Sequence, residues 1–459
     1  MAIFFKYSAR RTISAISNGT LLKELKQRGL ISNISQPEHL LQAKLENNEK
    51  IKLYCGADPT ARSLHLGNMV PLMILLNFYV RGHDIVGLVG GATGRVGDPS
   101  GRNTERNSME DRTRLDNINF ISQQLEHFFA NGLKYWKNKN YSKEVKAGKF
   151  EKVDNYEWWK DIRMLDFLAQ YGRHVRVQSM LSRDSVSSRL STSTGIGFNE
   201  FTYQILQAYD FYHLHKTRNV TIQVGGGDQW GNITAGIDLI SRIDSVGKTP
   251  TAFGITTPLL TTSTGEKFGK SAGNAVFIDP KINTAYDIFQ FFYNTIDSDV
   301  RRFLNIFTLL QQEEINTIMI RHEENPELRE GQKILAKEVT EMLHGIGSGS
   351  AAQSVSGIIF NNSDSKDIIT AGELKKVFND AGILKTADKN EPLTSLISRL
   401  TECSKSEAKR KITQGCVYLN ITREKVTEDI SNYEEYLIDD EVLMLRIGKQ
   451  KCFVIQINE

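Results

Sequence analysis

Between Ile51 and Gly94 the chain reads as strand, helix and strand, and no other stretch constrains the fold as tightly. IKLYCGADP is a short apolar run broken at Asp58-Pro59, LGNMVPLMILLNFYVRG is a helix stopped at Gly82, and DIVGLVGGATG is a second apolar run. A strand–helix–strand unit of this length predicts two parallel strands with the helix packed across them. The alternation continues with NVTIQVGGGDQ as a strand, ITAGIDLISRI as a helix and FGITTPLL as a strand. Two short helices precede the unit, within residues 20 to 48. From Ala285 to about Gly345 the periodicity turns helical. GIGSGSAAQSVSG and NNSDSKD then mark a weakly patterned connection before a small mixed unit in the last seventy residues or so.

At 459 residues the chain is long enough for about three domains. Its net charge of only +3 does not demand a polyanionic partner, so any nucleic-acid surface must be local. The four cysteines (Cys55, Cys403, Cys416, Cys452) form no CxxC pair and no zinc spacing, which predicts reduced thiols and no protein-bound metal. The apolar stretches, such as MILL at 73 to 76, are too short to cross a bilayer, so no membrane association is expected. Before the first carboxylate at Glu24, the N-terminus carries Lys6, Arg10, Arg11 and several serines. An acid-free start of this kind predicts a mitochondrial targeting segment over residues 1–18.

Two short motifs stand out chemically. GEKFGKS (265–271) is one residue short of a P-loop, and AGNAVFIDP, which follows it, reads as a turn and strand where a P-loop needs a helix. HLGN (65–68) opens the first helix of the strand–helix–strand unit. Free N–H groups and the helix dipole favour a phosphate there, His65 is short enough to stand beside it, and Gly67 lets a flat base approach the backbone. A histidine at a helix start is otherwise an ordinary cap or solvated residue.

HLGN resembles the HIGH signature of the class I aminoacyl-tRNA synthetases, and KFGKSAGN resembles their KMSKS loop. LYCGADPTARSLHLGN, LVGGATGRVGDPSGR, EFTYQILQAYDF and GGGDQWGNITAG resemble, in order, the bacterial-type and mitochondrial tyrosyl branch of that family. The resemblance implies an α/β fold: a Rossmann-like parallel-sheet catalytic domain (19–283), a helical anticodon-region domain (284–345), a linker (346–388) and a small α+β RNA-binding domain (389–459). It implies activation of L-tyrosine with ATP and Mg2+, transfer to tRNA(Tyr), a homodimer, and work in the mitochondrial matrix.

Site residues follow position by position. Tyr203, Gln207 and Asp210 recur at i, i+4 and i+7 and so share one helix face; periodicity alone does not separate a site from a mixed core stripe. The resemblance assigns Asp210 and Tyr54 to the substrate phenol, Tyr203, Gln207 and Asp98 to its ammonium group, and Gln229 to the aminoacyl portion. It places Cys55, Gly56, Asp58, Gly67, Asn68, Gly225, Gly226, Gly227 and Asp228 around the nucleotide. Cys55 read alone is a small buried hydrophobe, and Asn68, standing where the last His of HIGH would be, keeps a donor but carries no charge. Thr60, His65, Lys267, Lys270 and Ser271 would meet the phosphates. Arg102 and Arg106 either join them or form a solvated basic loop.

Residues 399 to 425 hold seven Lys and Arg against three Glu, and the resemblance makes Lys405, Lys409, Arg410 and Lys411 tRNA contacts. Residues 134 to 152 hold seven lysines against two glutamates, with Tyr135, Trp136, Tyr141 and Phe150 interleaved. This pattern reads as an inserted solvated loop or as a surface for additional structured RNA. Two other classes compete: an RNA-binding or splicing protein that kept the fold but lost activity, and a tryptophan-specific sister enzyme.

Overall fold

The computed structural model describes residues 18–101, 104, 109–139, 146–192, 195–244, 250–263, 268, 270–271, 274–360, 370–448 and 451–458. The chain divides into two units, one of Met1–Ile278 with Arg301–Asn316 and the other of Asp279–Val300 with Thr317–Glu459. Among the described residues no helix is long and apolar enough to cross a membrane.

The first unit is built on six strands: β1 (Asn33–Ile34), β2 (Lys52–Ala57), β3 (Asp84–Val89), β4 (Phe150–Asp154), β5 (Ile222–Gly226) and β6 (Phe253–Thr257). Their order is β1-β6-β5-β2-β3-β4. All neighbours run parallel except β1, which lies antiparallel on β6. The near-continuous burial of β3 and β6 is what a parallel sheet covered on both faces requires. The expected strand–helix–strand unit is β2, the Met69–Tyr79 helix and β3; that helix is buried almost all round, so it carries no polar stripe. From β2 the chain winds outward through β3 and β4, then returns to the other side of β2 with β5 and β6. The order therefore reverses between β2 and β5, where a crevice opens beyond the carboxyl ends of the strands. A two-residue hairpin, β7 (Lys270–Ser271) with β8 (Asn274–Ala275), follows β6.

Two elements of this unit lack a strong signal in the sequence. The Asp111–Asn138 helix runs for 28 residues and buries Ile118, Ile121, Leu125, Phe128 and Phe129, but charged residues interrupt its pattern. Strand β4 is short and lysine-flanked, and only Val153 in it is fully buried.

The second unit holds the Ala285–Tyr293 and Glu330–His344 helices, in the stretch expected to be helical. The segment 346–388, expected as a linker, carries the Ser348–Phe360 and Ala371–Asp380 helices and strand β9 (Lys385–Asp388). Both helices share a core with the terminal sheet: Val355, Ile359, Leu374 and Phe378 pack with Val442, Met444 and Val454. That sheet adds β10 (Val417–Leu419), β11 (Glu424–Val426), β12 (Leu437–Ile438), β13 (Val442–Ile447) and β14 (Lys451–Asn458). Its order is β11-β10-β13-β14-β9, with β12 beside β13 and β9 parallel to β14. Small and polar residues hid the apolar spacing of the two helices.

Candidate active site

A cavity of about 770 Å³ occupies the crevice at the strand-order reversal, lined by the ends of β2 and β5, the HLGN turn and the Phe198–Arg218 helix. At its inner end Asp210 is buried and accepts three N–H bonds. Asn155 Nδ2 reaches its Oδ2 at 2.9 Å, while Trp158 Nε1 at 2.8 Å and Trp159 Nε1 at 2.7 Å both reach Oδ1. Burial pushes the Asp210 carboxyl up to about 7, against the pull of those donors. The Tyr54 hydroxyl lines the same cavity, fully buried and without a hydrogen-bond partner among the described residues. Burial, with Asp210 nearby, keeps its phenol well above the ordinary range and therefore neutral.

A chain of hydrogen bonds joins this end to the next. Asn155 also donates to Thr93 Oγ1 at 2.9 Å, and Thr93 donates to Asp58 Oδ1 at 2.9 Å. Tyr203 donates to the other oxygen of Asp58 at 2.8 Å. The Asp58 carboxylate thus positions Tyr203, although the residue was assigned to the nucleotide. Beside it, Asp98 accepts from the Ser100 N–H at 2.9 Å and from Gln229 Nε2 at 2.7 Å. Asn232, buried and absent from the sequence assignment, donates to Gln207 Oε1 at 3.0 Å and closes this second network. Asn155, Trp158, Trp159 and Asn232 all escaped sequence reasoning. Only Asn232 had a usable signal, since it stands one helical turn beyond Gln229.

Gly90 explains why Asp58 can lie there. A Cβ on Gly90 would stand 2.0 Å from Asp58 Oδ1 and 2.5 Å from Thr93 Oγ1, so alanine must displace the pair that orients Tyr203. Gly90→Ala is expected to raise KM for the substrate that occupies this cavity roughly tenfold and to lower Tm by several degrees, since overpacking of this kind costs about 1–3 kcal/mol. Steady-state kinetics with a parallel melting curve checks this; an unchanged KM would mean that Asp58 does not position Tyr203.

At the outer end, the backbone N–H of His65 donates to Asn68 Oδ1 at 3.0 Å, and Asn68 lines the cavity. The side of Gly67 on which a Cβ would stand is filled by the His65 imidazole, 2.9 Å from its Cε1. The glycine therefore makes room for that ring, where the sequence suggested room for a base. Thr60 is exposed at the rim. The Asp111–Asn138 helix pins this loop: Gln124 Oε1 accepts from Leu64 N–H at 2.9 Å and Ser63 Oγ at 3.0 Å, and Asn117 Nδ2 donates to the Pro59 carbonyl at 3.1 Å. Cys55, Gly56, Gly225, Gly226, Gly227 and Asp228 all line the cavity. Burial lifts the Cys55 thiol to about 12, which makes it an inert wall group.

The backbone of HLGN pairs with the segment that follows the second motif. Leu66 N–H donates to the Val276 carbonyl at 2.9 Å, and Ile278 N–H to Leu64 at 3.0 Å, around a bridge between His65 and Phe277. The segment after the β7–β8 hairpin thus runs beside HLGN. Phe268 is seated between Phe303 and Phe307, each 4.8 Å between ring centroids, and anchors the hairpin. Lys270 and Ser271 form β7, whereas Gly265, Lys267, Gly269, Arg102 and Arg106 lie outside the described residues.

In the second unit, Lys405, Lys409 and Arg410 are exposed on the Lys405–Thr413 helix, and Lys411 is ion-paired with Glu407 at 2.7 Å. The lysine-rich stretch, read as an inserted solvated loop or as an RNA surface, ends the Asp111–Asn138 helix and opens β4 among the described residues. Tyr135 and Trp136 are buried, and Phe150 packs on Phe129 at 5.0 Å, so these rings are core and offer no stacking platform. Tyr141 lies outside the described residues.

Comparison with known proteins agrees with this geometry. The family model for class I tRNA synthetases of tryptophan and tyrosine matches residues 46–361. The mitochondrial tyrosine–tRNA ligase of Saccharomyces cerevisiae is 62% identical over 439 residues, covering 95% of this chain and 89% of the yeast protein. A tyrosine–tRNA ligase of Macrococcus caseolyticus is 42% identical, covering 95% and 99%. The solved structure of a C-terminally truncated mitochondrial tyrosyl-tRNA synthetase from Aspergillus nidulans superposes with a TM-score of 0.67 at 34% identity, covering 73% of this chain and 93% of that one.

Proposed function

The chain belongs to the class I aminoacyl-tRNA synthetases of the tryptophan and tyrosine group, and on that footing we propose that it is the tyrosine ligase of mitochondrial translation. It activates L-tyrosine with ATP and passes the tyrosyl group to the 3′ end of tRNA(Tyr) in the matrix. The observation that carries the amino-acid assignment is the inner end of the cavity. There a neutral, unpartnered Tyr54 hydroxyl and the buried Asp210 carboxylate flank one space. A phenol donates to the carboxylate and accepts from the tyrosine hydroxyl. Phenylalanine leaves the Tyr54 hydroxyl and the remaining acceptor site of Asp210 unfilled, and an indole is wider than the phenol ring.

Tyrosine binds with its ammonium group on Tyr203, Gln207 and Asp98, and Gln229 holds the aminoacyl portion. The nucleotide lies along β2 and the glycine turn, its ribose near Asp228, Cys55 and the Asn68 amide. The tyrosine carboxylate oxygen attacks the α-phosphorus, the bond to the bridging oxygen breaks, and MgATP loses pyrophosphate. No enzyme nucleophile is required, because displacement at phosphorus is accelerated by positioning and by neutralising charge as it develops. Thr60 and His65 meet the triphosphate from one side, while Lys267, Lys270 and Ser271 meet it from the other. Arg102 and Arg106 stand in the segment after GDPSG and complete the charge. Mg2+ enters with the triphosphate as part of the substrate. In the second step a terminal ribose hydroxyl of the tRNA displaces adenylate from the tyrosyl carbonyl. Lys405, Lys409, Arg410 and Lys411 contact tRNA phosphates.

Tyrosine-dependent exchange of pyrophosphate into ATP by the purified chain tests this assignment. Exchange driven by tryptophan, or by neither amino acid, overturns it.

The active form is a homodimer. Exposed apolar side chains concentrate between residues 164 and 198, with Met164 66%, Leu165 79%, Val177 63% and Phe198 72% accessible. Patches of this kind mark association surfaces. Sedimentation is expected to give twice the 51.9 kDa chain mass for the wild type and the single-chain mass for Leu165→Glu. A monomeric wild type would remove the dimer from the proposal.

A further inference from the structure

We propose that Trp159 is a specificity-determining positioning residue of the tyrosine subsite. Its indole N–H shares one oxygen of Asp210 with Trp158, which leaves the other oxygen to accept the substrate phenol. The inference rests on the tyrosine reading above and deepens it.

Two N–H donors on Asp210 Oδ1, at 2.8 and 2.7 Å, use both lone pairs of that oxygen. Oδ2 carries only the Asn155 amide at 2.9 Å among the described residues and retains one acceptor site. Rotating the carboxylate would break two bonds at once, so the paired indoles fix which oxygen the substrate meets. The Trp159 ring does not depend on substrate for its own position. It packs tilted against Phe167 at 5.2 Å and edge-on against Tyr209 at 5.0 Å, within an aromatic cluster. Trp158 is held separately, stacked on His213 at 4.5 Å. The adjacent tryptophans come from one short helix, Tyr156–Trp159, and reach the same atom from separately packed seats.

The consequence is readable in pH dependence. Burial favours the protonated carboxyl of Asp210, while each N–H donor favours the ionised form that accepts the phenol proton. The other ionisable groups around Asp210 are Asp58, which also favours protonation, and the phenols of Tyr54, Tyr203 and Tyr209, which stay neutral. His213 lies behind Trp158, and burial lowers its pKa. All of these groups are kept in Trp159→Phe, so the difference between two pH profiles reports what the Trp159 indole does to Asp210.

The test is kcat/KM for tyrosine in pyrophosphate exchange between pH 6 and 9, for the wild type and for Trp159→Phe. The wild type is expected to lose activity as pH falls through about 7. In the variant this acid limb should move to higher pH by roughly one unit, with KM for ATP unchanged. A variant whose limb stays where the wild type's is, whatever its overall activity, reduces Trp159 to packing and overturns the proposal. A wild type with no tyrosine-dependent exchange overturns the functional reading itself, a distinguishable result. Should the variant fail to fold, the wild type decides. The chain has four tryptophans, and with indole 15N labelling two of their N–H resonances should shift together with the Asp210 titration. Movement of only one of them would contradict the shared oxygen.

Discussion

Asp210→Asn is expected to lower kcat/KM for tyrosine by about two to three orders of magnitude while leaving KM for ATP near its original value. The carboxylate sits among three N–H donors, from Asn155, Trp158 and Trp159, and all three find an acceptor only because both of its oxygens are acceptors. An asparagine there has one acceptor oxygen and one NH2 group. Whichever way it turns, an N–H faces another N–H, and the site for the substrate phenol is lost or inverted. Hydrogen bonds to a charged group are worth about 1.5–3 kcal/mol, and a buried unpaired donor costs a similar amount, which together give the stated range. Tyr54→Phe provides the contrast. The Tyr54 hydroxyl has no protein partner among the described residues, so its removal orphans none of them and should cost only about tenfold. Pyrophosphate exchange at varied tyrosine measures both. Equal losses in the two variants would show that the donor cluster around Asp210 contributes nothing to recognition.

Lys270→Ala should reduce the rate of adenylate formation by about 10²–10³-fold with tyrosine affinity unchanged. The same outcome is expected for Lys267→Ala. A lysine that engages the pyrophosphate chiefly as it departs stabilises the transition state more than the bound substrates, so the loss falls on turnover. Lys270 pairs with Ala275 in the β7–β8 hairpin, two residues before the bridge between Phe277 and His65 of the HLGN turn. Phe268, two residues before Lys270, lies against Phe303 and Phe307. Single-turnover adenylate formation together with equilibrium dialysis of tyrosine separates the two quantities. A large rise in the tyrosine dissociation constant with an unaltered rate would place the lysine on the amino acid instead.

The sequence by itself determined the parallel sheet and the HLGN turn. Apolar runs and the turn residues that bound them are local properties, and β2, the Met69–Tyr79 helix, β3, β5 and β6 each form on such a run. It also placed Tyr203, Gln207 and Asp210 on one helix face, because i, i+4 and i+7 is a statement about a single helix. It did not disclose the Asp111–Asn138 helix as a loop-pinning element, since the roles of Asn117 and Gln124 depend on carbonyls and N–H groups about sixty residues away in the chain. Nor did it distinguish Tyr135 and Trp136 in the core from rings on a surface.

Only the tertiary structure decided what surrounds Asp210. Asn155, Trp158 and Trp159 lie more than fifty residues before it, and nothing in NYEWW announces that two indoles share one oxygen. The same holds for Gly90, which looks like an ordinary turn residue until Asp58 and Thr93 are seen against it. Periodicity reports which face of an element is buried. Hydrogen-bond satisfaction and close approach are set by groups from distant segments, and they exist only once the strand order has reversed between β2 and β5 and brought those segments to one crevice.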